Sequence, residues 1–369
     1  MLEENTVSFN FGRNIHISVF GQSHSKGMGV VIDSLPPGKI LDTEKIEAFM
    51  ARRRPGTDFS TSRKEEDRAE IISGLADGRT CGSPLCAVIE NRDCRSSDYE
   101  KLRDIPRPMH ADYPASVKYG GYNDIAGGGH FSGRLTAPLC FAGAVCMQLL
   151  EEKGIRIGAH ISSIGNISDI NFDPVNTDNE TLDRLRDSGF PVLDPQAGEK
   201  MMQCISEVRA ASDSIGGIIE CCITGLPAGI GESGFDSLES ILSQVLFSIP
   251  AVKGVEFGCG FAAAAMRGSE HNDPYYMDEK GNVRTVSNNH GGILGGLSTG
   301  MPVVFRSAFK PTPSIGLAQE SISLSGRCNT VLQVEGRHDP CIVVRAVPCV
   351  EAAAAVVIYD FLAGNGGLS

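Results

Sequence analysis

Two histidines of this chain lie in short loops that glycine or proline restricts. His24 lies within Gly21–Gly27, and His110 lies within Arg107–Tyr113, two residues before Asp112. An imidazole titrates near neutral pH, so each ring could donate or accept a proton, and the carboxylate could orient the second ring. A polar turn carrying a surface histidine, or a structural histidine, would show the same pattern.

A third loop, Gly336–Pro340, places arginine, histidine and aspartate in succession before a proline. Charged groups gathered on an immobilised loop are costly unless they pair with each other or are used. We therefore predict a functional loop, with Arg337 and Asp339 as candidates. An internal pair between these two side chains is the alternative.

Three further segments could bind an anion. They are Arg52–Gly56 at a helix end, the glycine-rich Gly127–Arg134 ahead of an apolar helix, and Lys310–Ser314 with its two prolines. Guanidinium groups bind phosphate and carboxylate in a bidentate way, and glycines at a helix start expose backbone N–H groups. A solvated helix end would explain the first segment, and a rigid surface loop would explain the third.

Charge and composition exclude several classes of function. A formal net charge of −12 argues against nucleic-acid binding, which needs a broad cationic surface. The twelve cysteines include no CxxC pair, and several lie in apolar runs, so we expect buried thiols and no metal site. Met1–Arg13 has no apolar signal core, and other apolar runs look too short or too interrupted to span a bilayer. These features predict a cytoplasmic protein without a membrane partner.

Apolar periodicity predicts the helices and strands that would position these loops. The predicted helices are Thr43–Arg53, Arg134–Lys153, Ser237–Ser248 and Cys349–Leu362. The predicted strands are Ile15–Phe20, Val30–Ser34, Leu85–Glu90, Ile218–Thr224, Pro302–Ser307 and Ile342–Ala346. The second helix is apolar all round, which predicts burial on most sides.

Two patterns recur in the same order along the chain. Val30–Gly38 and Cys221–Gly229 both enter an L-P-x-G turn, and the glycines of Gly74–Pro84 share the spacing of those in Gly292–Pro302. A duplicated architecture explains the shared order. The predicted parts of a single domain are two pseudo-repeated halves, about 1–165 and 204–369, and a polar connector at 166–203.

The order of these motifs resembles the chorismate synthase family over nearly the whole chain. The family's R-P-G-H-A-D-Y is similar to Arg107–Tyr113, where Met109 replaces glycine, and its G-R-H-D-P-C and R-A-V-P stand unchanged at Gly336–Cys341 and Arg345–Pro348. Further similar segments are Gly21–Gly27, Arg52–Gly56, Lys118–Gly120, Gly127–Arg134, Ala251–Glu256, Asn288–Leu297 and Lys310–Ile315. So many ordered matches make the resemblance specific.

The resemblance implies an α+β fold, a β-α-β sandwich with central helices between two antiparallel sheets and an internal duplication. It implies a lyase that eliminates phosphate from 5-enolpyruvylshikimate 3-phosphate in a 1,4 sense to give chorismate. The family requires reduced FMN although the reaction has no net redox change, and its members are typically homotetramers. Since no appended reductase domain is visible, we expect an external flavin reductase, with NADPH as an indirect reductant.

Carried onto matching positions, the resemblance implies a role for each loop. His24 would protonate the departing phosphate, His110 would lie near the flavin and hold its protonation state, and Asp339 would accept a proton through flavin N5. The residues expected to hold substrate are Ser23, Arg53, Arg54, Ser132, Arg134 and Arg337. The residues expected to contact FMN are His130, Phe131, Ser132, Ala251, Gly295, Lys310, Pro311, Thr312, Pro313, Ser314 and Arg337.

The glycine-rich loop departs from the family pattern. His130 and Phe131 stand where arginine and serine are usual, and Leu135 stands in place of glutamate. We hypothesise that Lys26 or His130 compensates for the lost arginine. A flavin- or phosphate-binding paralogue that has lost catalysis is one alternative, and a metal-dependent hydrolase built from the histidines is another, which their scattered spacing disfavours.

Overall fold

Two five-stranded antiparallel sheets and the helices between them form the frame of the protein. The computed structural model describes residues 9–55, 66–91, 102–334 and 339–364. The strands are β1 Asn10–Phe11, β2 His16–Gly21, β3 Gly27–Asp33, β4 Ala69–Ser73, β5 Leu75–Ala76, β6 Arg79–Thr80, β7 Leu85–Glu90, β8 Arg156–Ile164, β9 Ile167–Ser168, β10 Gly217–Thr224, β11 Val252–Phe257, β12 Tyr275–Met277, β13 Val283–Thr285, β14 Ile293–Leu294, β15 Leu297–Ser298, β16 Val303–Phe309, β17 Gln319–Ser323 and β18 Cys328–Leu332. The α-helices are α1 Thr43–Ala51, α2 Asp112–Lys118, α3 Thr136–Glu151, α4 Asn179–Arg186, α5 Pro195–Ala210, α6 Leu238–Ser248, α7 Gly268–His271 and α8 Val343–Gly364.

The two central helices separate the sheets. The first sheet has the order β1-β2-β3-β7-β4, and the second has the order β11-β16-β10-β8-β9. Helix α3 packs on strands β3 and β7 of the first sheet, α8 packs on β8 and β10 of the second, and the two helices pack on each other. This arrangement confirms the predicted β-α-β sandwich, with the largest hydrophobic core around α3 and α8.

The two sheets repeat one plan. The order β2-β3-β7-β4 corresponds to β8-β10-β16-β11, and α3 and α8 follow the last strand of each set. The turn predicted from the L-P-x-G pattern is built alike in both: the Thr80 hydroxyl donates to Pro36 O and the Ser298 hydroxyl to Pro227 O, each over 2.6 Å. The internal duplication is therefore confirmed.

The limits of the two halves stay a prediction. Strand β8 precedes the predicted connector in sequence and pairs within the second sheet, next to β10. The connector region contains β9, α4 and the first half of α5, so it has regular structure of its own.

Most predicted elements are present, and one is wrong. Helices α1, α3 and α6 occupy the predicted segments, and α1 begins where the Asp42 carboxylate accepts the N–H groups of Glu44 and Lys45 over 3.0 and 3.1 Å. The predicted strand at Ile342–Ala346 is instead mostly the first turn of α8. Its β-branched residues Val343 and Val344 are buried in the core, and this burial outweighs their weak helix propensity.

The central helices also correct the expectation about apolar runs. Gly133–Glu151 and Val343–Gly364 are long and apolar enough to cross a membrane by length and composition. In this fold 83% and 89% of the residues in an 18-residue window of each segment are buried inside the protein, between the sheets. The core therefore accounts for their apolar character.

Candidate active site

A glycine segment, Gly127–Gly129, lies between the loops of the two predicted catalytic histidines. All three glycines have positive φ values, 62°, 86° and 54°, which glycine tolerates best. A Cβ atom added at Gly127 would overlap the ring of His24, and one added at Gly128 would lie 3.3 Å from Cε1 and Nε2 of His110. The absence of side chains thus lets both imidazoles lie against adjacent residues of one segment, as the site prediction requires.

Ser23 holds His24 in this position. Its hydroxyl donates to the carbonyl of Ala126 over 3.0 Å and lies 3.0 Å from His24 Nδ1. Its backbone N–H donates to Gly129 O over 3.2 Å. Because the serine proton is used on Ala126, the oxygen is left to accept from His24 Nδ1–H. Ser23, predicted to hold substrate, here anchors the histidine.

His110 contacts the carboxylate that the sequence placed two residues away. Its Nδ1 lies 2.5 Å from Asp112 Oδ1. Arg107 binds the same carboxylate, donating from Nε to Oδ2 and from Nη2 to Oδ1 over 2.8 Å each. Burial lowers the pKa of His110, Arg107 and Lys310 lower it further, and Asp112 opposes them. The carboxylate orients the ring without making it a strong base.

The Lys310–Ser314 loop joins this group. Arg107 Nη1 donates to Ser314 Oγ over 3.2 Å, and the backbone N–H of Lys310 donates to Ala251 O over 3.0 Å. Burial and the nearby Lys253 lower the pKa of Lys310. The buried Thr312 hydroxyl has no hydrogen-bond partner among the described residues. Ala251 and the loop therefore assemble beside His110, with donors that a polar ligand could use.

Two of the arginines predicted to hold anions lie against a carboxylate that the sequence analysis missed. Arg53 and Arg134 both pair with buried Asp67, the Arg134 contact being 3.0 Å. Arg53 also donates to Thr136 Oγ1 over 2.8 Å and to Gly133 O over 3.1 Å. Burial alone would raise the pKa of Asp67, but Arg53, Arg134 and Arg345 hold it below its ordinary range.

Asp339 is connected to Arg53 through Arg345. Arg345 Nη1 donates to Asp339 Oδ2 over 2.7 Å, and Arg345 Nε donates to Arg53 O over 2.9 Å. We call Arg53, Arg134, Arg345, Asp67 and Asp339 the arginine cluster. Three guanidinium groups face two carboxylates within it, so these five side chains carry an excess positive charge that favours an anion. Arg337, predicted to hold substrate and to contact FMN, lies outside the described residues.

The segment from the glycines to α3 connects the two groups. Gly128 lies beside His110, and Gly133, five residues on, accepts from Arg53. Between them Ser132 accepts the Arg134 N–H over 3.4 Å and caps a 3₁₀ turn. One stretch of backbone thus joins the imidazoles to the arginine cluster.

Two further predicted site residues have other surroundings. Arg54 pairs with Glu47 on α1. Gly295 lies in the turn between β14 and β15, near the start of β16, whereas Lys310 follows the end of β16. The length of β16 separates them by roughly 20 Å.

His130 and Phe131 form an aromatic group. The His130 ring lies 4.2 Å from that of Phe131, 5.5 Å from Tyr119 and 5.7 Å from Phe9, measured between centroids. Burial lowers the pKa of His130, and its buried Nε2 has no hydrogen-bond partner among the described residues. His130 and Phe131 thus pack within an aromatic group, and His130 Nε2 is a polar atom there that a ligand could use.

Three residues of the assembly were missed as site residues from the sequence. Arg107 and Arg345 stood inside quoted motifs, and the proximity of Arg107 to a histidine and an aspartate was a usable signal. Asp67 had none, because it lies in a polar run 14 residues after Arg53. Across residues 9–55, 66–91, 102–334 and 339–364, no three His, Cys, Asp or Glu side chains converge to hold a metal ion.

Comparison with known proteins places this assembly in context. The chain matches the sequence model of one family, described as chorismate synthase, over residues 15–363. It is 45% identical over 352 residues to a chorismate synthase of Thermococcus kodakarensis and 44% identical over 357 residues to one of Korarchaeum cryptofilum, covering 95% of this chain and 96% of each relative. A crystal structure of a chorismate synthase superimposes with a TM-score of 0.74 at 28% identity, covering 95% of this chain and 92% of that one. The likeness spans nearly the whole chain in sequence and in fold.

Proposed function

The chain belongs to the chorismate synthase family, and we propose that it eliminates phosphate from 5-enolpyruvylshikimate 3-phosphate in a 1,4 sense to give chorismate. This reaction is the last common step towards the aromatic amino acids and makes the protein a carbon–oxygen lyase. The observation that carries the proposal is the glycine segment, which brings His24 and His110 together and leads directly to the arginine cluster.

The arginine cluster suits the anionic groups of the substrate. Its excess positive charge lies in a buried setting, where electrostatic interactions are stronger than in water. Arg53 and Arg134 are oriented by Asp67 before any ligand arrives. We propose that these residues, with Ser132 and with Arg337 outside the described residues, attract and orient the phosphate and carboxylate groups.

His24 is the proposed proton donor to the departing phosphate. Its Nδ1–H is directed to Ser23, so Nε2 is the nitrogen that can carry and deliver the acid proton. When the C–O bond breaks, the phosphate leaves with the bonding electrons, and a proton from His24 neutralises part of its growing charge. Asp339, held by Arg345, is the carboxylate proposed to take up the proton that the substrate ring loses.

Reduced FMN is the proposed cofactor, and the chain has donors that fit it. The buried hydroxyl of Thr312 has no hydrogen-bond partner among the described residues, and the half-buried amino group of Lys310 is near enough to His110 to lower its pKa. Ala251, the Lys310–Ser314 loop, Ser132 and the aromatic pair His130-Phe131 would hold the ring system. When bound, reduced flavin supplies the electron density that helps to break a poorly acidic C–H bond.

We further propose a cytoplasmic homotetramer that receives reduced flavin from an external reductase, with NADPH as the indirect source. Several large apolar side chains of the second half are exposed, among them Phe235, Phe261, Tyr275 and Met277. Identical subunits that associated through this region would cover them.

An anaerobic assay of chorismate formation with photoreduced FMN tests the function. We expect turnover by the parent chain and by His16→Ala, which alters an exposed histidine on β2, and strong loss in His24→Ala and Asp339→Ala. Parent protein that binds reduced FMN and releases no phosphate would reject the lyase proposal. That result would favour the second candidate, a paralogue impaired in catalysis, which the aromatic packing of His130 supports.

A further inference from the structure

Two opposite charges lie against one nitrogen of His110. Asp112 Oδ1 is 2.5 Å from Nδ1, and Arg107 Nη2 is 3.1 Å from the same atom. Arg107 and Asp112 are themselves buried, and His110 is 17% exposed. A histidine with a single carboxylate partner is the ordinary arrangement, and the guanidinium sets this one apart.

The hydrogen-bond donors settle which partner Nδ1 uses. A guanidinium group has only donors, and Arg107 Nη2 donates one of its two N–H groups to Asp112 Oδ1 over 2.8 Å. The carboxylate oxygen is the closer neighbour and can only accept. His110 therefore donates from Nδ1–H to Asp112 and keeps Nε2 as its acceptor nitrogen, on the side of Gly128.

We propose that Arg107 is a positioning residue that keeps His110 neutral: it forms its own ion pair with Asp112, so the carboxylate fixes the ring and its tautomer without charging it. Asp112 accepts from the backbone N–H of Arg107 as well as from two side-chain nitrogens, and its charge is largely compensated. Arg107 Nη1 extends the arrangement to Ser314. For its part in the reaction the inference rests on the proposed function.

The charged groups that face His110 do not all act in the same direction, but those that favour the neutral ring prevail. Arg107 and Asp112 come from its own loop, Lys310 comes from the Lys310–Ser314 loop, and the glycine segment offers only backbone. An uncompensated carboxylate at this distance would raise the pKa of a histidine. Here burial, Arg107 and Lys310 together outweigh Asp112 and lower the pKa of His110. A neutral ring with a free acceptor nitrogen is suited to take a proton or a hydrogen bond within the site.

Variants of the pair test the inference through opposite effects. The probe is NMR titration of the chain with isotope-labelled histidine, with the His110 signal assigned by its loss in His110→Gln. Arg107→Met leaves Asp112 uncompensated, so the His110 pKa should rise by about one to three pH units. Asp112→Asn leaves the guanidinium without its counterion, so the His110 pKa should fall.

Arg107→Lys retains a positive charge and should reverse most of the rise seen in Arg107→Met. Arg103→Met, an exposed site on the same loop, is the control and should leave the titration unchanged. An unchanged or lower His110 pKa in Arg107→Met, or a higher one in Asp112→Asn, overturns the inference. If Arg107→Met does not fold, the sign of the shift in Asp112→Asn decides. Because titration needs no turnover, an inactive parent with the expected shifts would reject the proposed function alone.

Discussion

Two histidines of this protein each contact a carboxylate inside the fold, yet their surroundings favour opposite charge states. His110 shares Asp112 with Arg107, and its pKa is lowered. His160, on β8, lies between Asp169 and Glu220 at 2.9 and 3.0 Å. Burial alone would lower the pKa of His160, but its two carboxylate partners outweigh burial and raise it.

The difference comes from what compensates the carboxylates. Near His160 the guanidinium of Arg306 is 3.8 Å from Glu220, and the two carboxylates favour the protonated imidazole, which would balance the remaining negative charge. Asp169 and Glu220 also accept backbone N–H groups of Leu193 and Phe172, which fixes the connector to the second sheet. His160 thus lies directly between two carboxylates, whereas His110 shares its single carboxylate with a guanidinium that hydrogen-bonds to it.

The largest expected effect separates the two by activity. His110→Ala should reduce turnover with reduced FMN by roughly 10²–10⁴-fold, because a positioned acid–base group is lost. His16→Ala, at an exposed site on β2, is the control. Turnover of His110→Ala equal to that of the control would remove His110 from the site.

The second largest expected effect concerns the contribution of the His160 cluster to protein stability. Glu220→Gln removes the buried carboxylate that pairs with His160 Nε2 and with Arg306, so the free energy of unfolding should fall by about 3–5 kcal/mol. Denaturant unfolding measures this change. Glu256→Gln alters a partly exposed partner of Arg306 and should cost only about 1 kcal/mol or less. Equal losses in the two variants would contradict a structural role for the His160 cluster.

A smaller effect tests how the site is kept open. Gly127→Ala would place a methyl group against the ring of His24 and displace it. Since a misplacement of about 1 Å can lower turnover by roughly 10²-fold, we expect a loss of that size in the assay with reduced FMN. Gly121→Ala is the matched control, since Gly121 also has a positive φ, 82°, but no heavy atom near its added Cβ. If both variants lost the same activity, backbone strain would explain the result and the contact with His24 would not.

The smallest effect is the pH dependence of stability, and its sign differs between the histidines. The folded pKa of His160 lies above its ordinary value of 6.5, so its stabilisation is complete below pH 6.5 and is lost as the pH rises through the folded pKa. The folded pKa of His110 lies below 6.5, so stability is lost as the pH falls below 6.5. Each pH unit of difference between folded and unfolded pKa is worth about 1.4 kcal/mol.

Unfolding of His160→Gln and His110→Gln across pH 5 to 9 checks these signs. The free energy of unfolding of the parent should exceed that of His160→Gln by less as the pH rises. Relative to His110→Gln, the parent should instead gain stability as the pH rises towards 6.5. Parallel curves for the two variants would show that the two environments do not differ.

The sequence predicted much of the site because its loops carry local signals. Glycines and prolines marked the loops of His24 and His110. The resemblance carried by the order of motifs implied that these two loops lie together in the fold. The L-P-x-G turns at Pro36 and Pro227 likewise predicted the duplication from sequence. These features depend on a few neighbouring residues, which a sequence shows directly.

The remainder depends on register and on distant partners. His160 and Glu220 face each other across neighbouring strands, but the pairing joins residues 60 apart and needs the register of β8 and β10. Asp67 became a partner of Arg53 and Arg134 only through folding. The start of α8 was missed because Val343 and Val344 favour a strand locally, and their packing in the core decides otherwise.

The most direct test of this comparison is one NMR titration of the parent chain with both ring signals assigned. We expect His110 to titrate below pH 6.5, with Nε2 unprotonated at neutral pH, and His160 to titrate above pH 6.5. A His110 signal that titrates with or above that of His160 would contradict the account.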